Sequence, residues 1–373
     1  MPPPPPVTPP AAVAAEKTPP TSAEAMPATR PDTLPPIDVG AWLRVGGMFQ
    51  GSDTTKLNDW RMDNALGELH AGGKVHKNVG VTLNLVSNML SLFNPPGSGM
   101  GEGGNYVAIE DAIISFDFMD EFHLWGGHLL VPVDRSNASG PFFMIPWNYP
   151  GFMAAGGQLL VTAPQEGPFG RNNGAVVWGD INGGQLTYLV GVFDNAARSQ
   201  SPLFSGRLRL ALLDKEGGFW GNGSYFGEKD LLTIAVGGQF QSQPSGTKDY
   251  SEVNADVLFE KKLGGGSFVT VEGAFYRYFV DAGLENTGYI MAAYATPTMG
   301  VGSLQPMARF QFATFKGGGD MASNFDIGVS YLIKGPALRV NATYGHTNLG
   351  GASMAGMEGT ANSIQLGAQA IFF

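Results

Sequence analysis

The chain has 373 residues, of which 43% are hydrophobic and 14% charged, with 54 glycines, no cysteine and a formal net charge of -10. Its mean hydropathy is -0.02, and no run of about 20 apolar residues exists to make a transmembrane helix. Transmembrane strands need only about 9–11 residues with alternate side chains in lipid, so this bland hydropathy suits a β-barrel; a secreted two-domain β-sandwich has the same composition and stays open at this level. The absence of cysteine fits a chain that crosses an oxidising compartment without forming disulfides, and is equally permitted elsewhere.

Residues 1–37 carry a large share of the 26 prolines, as in Pro2 to Pro6, and almost no large apolar side chain. Such a segment cannot bury enough surface to offset its ordering. It reads as a Pro-rich disordered tail, either a solvated linker or a tether to cell wall or a periplasmic partner. Met1 is followed by prolines, without a basic n-region or an apolar h-region, which reads as a mature or re-started form.

From Asp38 to the end, apolar and polar residues alternate with a period of two. Sixteen segments follow: 38–50, 62–75, 78–91, 106–117, 121–131, 172–180, 185–194, 204–214, 230–241, 250–261, 267–279, 287–297, 304–315, 323–333, 335–346 and 361–373. Spread over residues 38–373 they leave about 21 residues for each strand and its connection, as a barrel of ten-residue strands requires. In the first segment Leu43, Val45 and Phe49 would meet lipid while Arg44 and Gln50 face inward. In the second, Glu68, His70 and Lys74 share the inward face. Val81, Leu83 and Leu85 repeat the pattern opposite Thr82 and Asn84. A lipid-facing Lys or Arg at the midplane costs about 2–4 kcal/mol, so charges gathered on one face belong in a wet lumen.

If the tail is periplasmic, alternate connections should be short: His76 to Asn78, Phe118 to Asp120, Ile181 to Gly184, Gly264 to Gly266 and the Lys334–Gly335 junction. Lys215 to Glu228 breaks that rule, as an elaborated turn or a slip in the count. The other parity carries longer pieces, including Phe93 to Asn105 and Thr347 to Thr360. The longest connection, Pro132 to Arg171, has little alternation but contains Phe142, Phe143, Met144, Ile145, Pro146 and Trp147. Long structureless loops in compact domains are usually functional. Its aromatic content predicts a constriction loop folded into the barrel, the alternatives being a cover over the rim or a subunit contact.

Glu110-Asp111-Ala112 followed by Phe122 to Ser136 resembles the strand-hairpin-strand of the phosphate-selective porin O and P family, in which a strand leads into the start of the constricting loop. Gln185 to Asn195, Gly288 to Tyr294, Leu304 to Phe310, Phe325 to Tyr331 and the last strand are similar to that family in order. The resemblance implies a sixteen-stranded, often trimeric porin. It does not carry phosphate selectivity: the family's loop-proximal Gln and Lys align with His128 and Leu130, so a basic lumen position is lost.

The expected fold is thus an all-β transmembrane antiparallel barrel in a Gram-negative outer membrane, with both termini periplasmic. Selectivity would come from charges at the constriction. Arg207 and Arg209 alternate with Leu208, Leu210 and Leu212, so both point inward. With Arg44, Lys74, Arg309, and Arg135 or Arg171 from the loop, they make a candidate basic side; Glu68, Asp111, Asp117, Asp256 and Glu272 make an acidic one, and His128 and Asp134 are further pore-lining candidates. The alternative for each is pairing across neighbouring strands to stiffen the wall. Phe275, Tyr276, Tyr278, Tyr289 and Tyr294, and Trp60, Trp178 and Trp220, read as interfacial girdle aromatics.

No cofactor or metal site is expected. Gly97 to Gly104 has no Lys-Ser/Thr after it and is no phosphate loop, and His70 and His76 share a strand face without a third ligand. The functions that compete are a passive porin for small hydrophilic solutes or ions, assembled as a homotrimer; a barrel enzyme, although no motif binds His123 and Ser136 together; and a barrel anchoring the tail. No nucleic-acid partner is expected. The final strand should present Leu366, Ala368, Ala370 and Phe372 to lipid, leaving Phe373 as a terminal tag for the assembly machinery.

Overall fold

The computed structural model describes residues 36–52, 59–61, 66–87, 107–154, 157–160, 170–194, 201–242, 248–279, 283–350 and 359–372. The expectations for the tail before residue 36, for Gly97 to Gly104 and for Phe373 lie outside these residues, as do parts of the long connections.

Sixteen long strands close into one antiparallel barrel. In chain order they are β1 (Asp38–Ser52), β3 (Leu66–His76), β4 (Val79–Ser87), β5 (Val107–Met119), β6 (Phe122–Leu130), β9 (Arg171–Ile181), β10 (Leu186–Phe193), β11 (Leu203–Ala211), β12 (Leu231–Gln241), β13 (Tyr250–Gly264), β14 (Ser267–Tyr278), β15 (Leu284–Ala295), β16 (Ser303–Phe315), β17 (Ala322–Lys334), β18 (Leu338–Asn348) and β19 (Thr360–Phe372). The short β2 (Asp59–Arg61) pairs with β1 beyond β3. A helical turn, α1 (Arg135–Ser139), and a hairpin of β7 (Gly151–Ala154) and β8 (Gly157–Leu160) lie between β6 and β9. All sixteen expected segments are present. Bounds shift by a few residues, as at β3, which starts at Leu66, β15, which starts at Leu284, and β18, which starts only at Leu338 after the turn around Pro336.

Closure comes from β1 against β19, with Trp42 opposite Ile371 and Gln50 opposite Ser363. Neighbours in the barrel are neighbours in sequence, so every internal ladder is a hairpin ladder and no edge is left over. Alternation sorts the side chains. Leu43, Val45, Leu69, Val81, Leu208, Leu210, Ile327, Leu366 and Phe372 are exposed outside, whereas Arg44, Glu68, Arg207, Arg209, Asn341, Gln365 and Gln369 are buried inside. An apolar exterior around a polar interior inverts the soluble-protein pattern and matches a wall between lipid and water.

The aromatic expectation needs correction. Phe275 and Tyr294 face outward, but Tyr276, Tyr278 and Tyr289 are buried inside the barrel in one cluster with Tyr250. Trp178 and Trp220 also lie inside, packed around Phe219. Parity decides: Tyr276 and Tyr278 share the inward face of β14 with Glu272, and only the odd-numbered Phe275 reaches lipid.

Connections at one rim are tight, at residues 77–78, 120–121, 182–185, 265–266 and 335–337, and the ends of β1 and β19 lie at that rim too. Successive glycines in the left-handed region, Gly265 and Gly266 at φ 61° and 78°, allow the β13–β14 turn, a conformation that side-chain-bearing residues avoid. The connection 296–302 is longer, and the connection 212–230 is longest, an elaborated segment and not a slip in the count. Asp214 still pairs with Asp230 through a backbone hydrogen bond of 2.9 Å, so the ladder runs three residues past β11 before the segment leaves the wall.

Candidate functional site: the charged lumen and its inward segments

After β6 the chain turns into the barrel. Its first residues lie against β11 and β12: Arg207 donates to the Val133 carbonyl at 3.1 Å, and a Cβ on Gly237 would stand 2.1 Å from that oxygen. Only a glycine tolerates such an approach. Asp134 then caps α1, accepting from the Asn137 N–H at 2.8 Å, a standard role for Asp before a helical turn. Burial pushes the Asp134 carboxyl up to about 6, against the lowering effect of that hydrogen bond and of Arg207.

From α1 the segment crosses to the far wall. Ser136 bonds the Tyr289 hydroxyl of β15 at 2.8 Å. Gln369 of β19 donates to the Phe142 carbonyl at 3.0 Å, and Arg339 of β18 donates to that of Ile145 at 3.2 Å. Trp147 seats its indole on two paired glycines of the wall, Gly46 and Gly367; a Cβ on Gly367 would meet the ring at 2.1 Å. Arg309 of β16 then donates to the Asn148 carbonyl, and Gln311 exchanges hydrogen bonds with Gly151, where the β7–β8 hairpin begins. These contacts place residues 131–151 inside the lumen, on both walls.

The expected site residues separate by what they hold. Arg135 forks onto Glu216 at 2.7 and 2.9 Å and reaches Asp256 at 3.4 Å. Arg207 lies on Asp256 at 2.9 Å. Arg209 donates to the carbonyls of Gly218 at 2.7 Å and Trp220 at 3.3 Å, with Glu216 at 3.8 Å. Arg171 pairs with Glu110 at 3.2 Å and Asp111 at 3.4 Å, and Asp111 also accepts from Asn84. Arg309 pairs with Asp326 at 2.8 Å, and Glu68 lies 3.3 Å from His70. Glu272 accepts from the Tyr289 hydroxyl at 2.6 Å.

Arg44 is different. It donates to the carbonyls of Pro141 at 2.9 Å and Trp147 at 2.7 Å and lies 3.8 Å over the Trp147 ring. Together with Arg339, which donates to Gln369 and Ile145, it forms no ion pair among the described residues. Arg44, Gln369 and Arg339 are register partners across β1, β19 and β18, so two guanidiniums flank one amide.

Two of the expected lumen residues are elsewhere. Lys74 is exposed at the short-turn end of β3. His128 stands on the outward face of β6, in register with Ala112 and bonded to Asn173 at 3.0 Å; the parity of Leu124 and Gly126 carries it to the outside. Asp117 binds His123 at 2.9 Å and Trp125 at 3.1 Å beside the short turn. His123 and Ser136 have separate partners and do not meet.

Arg339, Glu110, Asp326 and Glu216 were not among the expected residues. Arg339 could have been found, since it alternates with Leu338 and Val340 as Arg207 does with Leu208. Glu216 lies in a segment without period, so no pattern signals its burial.

No protein-family model and no curated protein sequence matches the chain. Solved structures do. OmpF of Salmonella typhi, in a complex with daunomycin, aligns with a TM-score of 0.59 and 10% identity over 90% of this chain and 97% of that one. OprB of Pseudomonas putida gives 0.58 and 11% over 90% and 94%, and the anion-selective porin of Comamonas acidovorans 0.57 and 11% over 90% and 99%. Identities this low speak for the fold, and the fold is that of the sixteen-stranded outer-membrane porins.

Proposed function

We propose that this protein is an outer-membrane porin, a passive water-filled channel for small hydrophilic solutes or ions, and not an enzyme. One observation carries the reading: a segment with charged and carbonyl-bonded residues crosses the inside of a closed barrel that is polar within and apolar without, the arrangement by which a pore sets size and charge preference. Residues 132–171 are then the constriction loop, entering from the external side. Arg44, Glu68, Asp111, Asp134, Arg135, Arg171, Arg207, Arg209 and Arg309 are its lumen charges, and both chain ends lie in the periplasm with residues 1–37 as a tail. Membership of the phosphate-selective porin O and P family belongs to this proposal and rests on the motifs around Glu110, Phe122 to Ser136 and the later strands. Assembly as a homotrimer is supported by the likeness to OmpT of Vibrio cholerae in its trimer form, with a TM-score of 0.54 and 14% identity over 90% of this chain and 99% of that one.

Planar-bilayer recording tests the proposal. The expected result is ohmic unitary conductance that rises when residues 137–147 are replaced by a short Gly-Ser linker. A folded barrel that never conducts, with or without those residues, overturns it.

A further inference from the structure

Resting on the porin reading, we infer that residues 212–230 form a second constriction, entering the lumen from the short-turn rim and locked to the loop that enters from the other rim. A connection at that rim needs only two to four residues, and its neighbours at 182–185 and 265–266 are of that length. This one instead leaves the ladder at the Asp214–Asp230 pair and crosses the barrel. At its start Glu216 is buried under Arg135 and Arg209, and Phe219 stacks on Trp125 with ring centroids 4.6 Å apart. In its middle Ser224 donates its backbone N–H to the Phe143 carbonyl at 3.1 Å, and Asn222 accepts from Arg135 at 2.8 Å. At its tip Phe226, held at φ 52°, packs by Phe268, Ala295 and Leu332 and lies 5.9 Å from the Arg339 guanidinium on the opposite wall.

The segment is built to stay there. Glu260 of β13 accepts from the Ser224 hydroxyl at 2.7 Å and from the backbone N–H groups of Tyr225 and Gly227 at 3.2 and 2.8 Å. The Tyr225 hydroxyl donates to Glu216 at 2.9 Å. Beneath it the inward residues Thr187, Thr233, Leu258 and Glu260 have no exposure, where a water-filled sector would leave them wet. A solvated linker has no reason to present a carboxylate to a buried arginine of another loop. The Arg135–Glu216 fork joins two segments that enter from opposite rims, and a fork of that kind fixes position as well as charge. The lumen in front of β10 to β14 is therefore closed at its short-turn half, and solutes pass only by what the two joined segments leave open.

The test shortens the segment without disturbing the ladder. Because Asp214 and Asp230 already pair, residues 215–229 are replaced by an Asn-Gly turn, and Arg135→Gln, Arg209→Gln and Glu260→Gln are added because the segment holds those three buried charges. A second variant, Glu216→Gln, keeps the segment and weakens the lock. Circular dichroism first establishes that each barrel is folded, and planar bilayers then give unitary conductance and the largest neutral polymer that enters. The shortened variant should conduct about twofold or more above the parent and admit larger polymers, and Glu216→Gln should lie between them with noisier open levels. A silent parent with a conducting shortened variant also supports the inference, as a plug that closes fully. Equal conductance and equal polymer cut-off in parent and shortened variant overturn the inference while leaving the porin reading intact. Silence of every folded variant overturns the porin reading and the inference with it.

Discussion

The two walls of the lumen handle charge in opposite ways. From β9 to β14 the interior arginines are paired: Arg171 with Glu110 and Asp111, Arg207 with Asp256, and Arg135 and Arg209 with Glu216. From β18 through β19 to β1 the wall carries Asn341, Thr343, Ser363, Gln365 and Gln369, and its arginines Arg44 and Arg339 bond carbonyls and an amide. Ion pairs hold segments in place but cancel their own field. Guanidiniums on neutral acceptors also hold a segment, and keep their charge available to a passing ion. Changes on the first wall are therefore expected to act mainly on stability, and changes on the second on passing ions.

The largest effect expected from breaking this contrast is on the paired wall. Glu216→Ala removes the forked partner of buried Arg135 and leaves it only Asp256 and the Asn222 carbonyl, and loss of one partner of such a pair costs about 3–5 kcal/mol. The double change Glu216→Leu with Arg135→Met removes both charges and should recover most of that loss; urea or guanidinium unfolding of the refolded barrel measures both. If the single and double variants are equally destabilised, the pair is not the lock.

On the other wall the effect is on ions. Arg44→Gln with Arg339→Gln should shift the reversal potential in a salt gradient toward cations, on the order of several-fold in permeability ratio. Arg207→Gln with Asp256→Asn, which removes a neutralised pair, should shift it much less. Equal shifts would erase the distinction between the walls.

The smallest effect concerns pH. The Asp134 carboxyl, pushed up to about 6 by burial, titrates near 3.9 when unfolded, so the folded state holds its proton more tightly. Its contribution is full below pH about 4 and is lost as pH rises through about 6. For Glu216 burial acts upward, but the Arg135 guanidinium and its hydrogen bonds hold the carboxyl well below the usual range. That contribution is present above pH about 4.3, the unfolded value, and fades only in stronger acid. Asp134→Asn keeps the cap and should flatten the stability profile between pH 4 and 6 while leaving the acid limb. An unchanged slope there would put the titration elsewhere.

Much of this wall could be read in advance, because period-two alternation is a local property. Arg44, Arg207 and Arg209 are inward for the same reason that Leu43, Leu208 and Leu210 are outward. Two departures obey that same local parity, and one depends on a nonlocal pairing. His128 follows the outward parity of Leu124. Tyr276 and Tyr278 share the parity of Glu272 and therefore face inward. Trp147 in its glycine seat depends on Gly46 and Gly367 being paired across β1 and β19, more than three hundred residues apart in sequence.

By itself the sequence determined the number of strands, their faces and the loop whose aromatic content demanded an interior. Each follows from alternation and from the cost of placing charge in lipid. Only the tertiary structure decided which charges neutralise one another, that residues 212–230 enter the lumen, and that Arg44 and Arg339 form no ion pair among the described residues. Those outcomes depend on distances across a closed barrel, between residues that no local period connects.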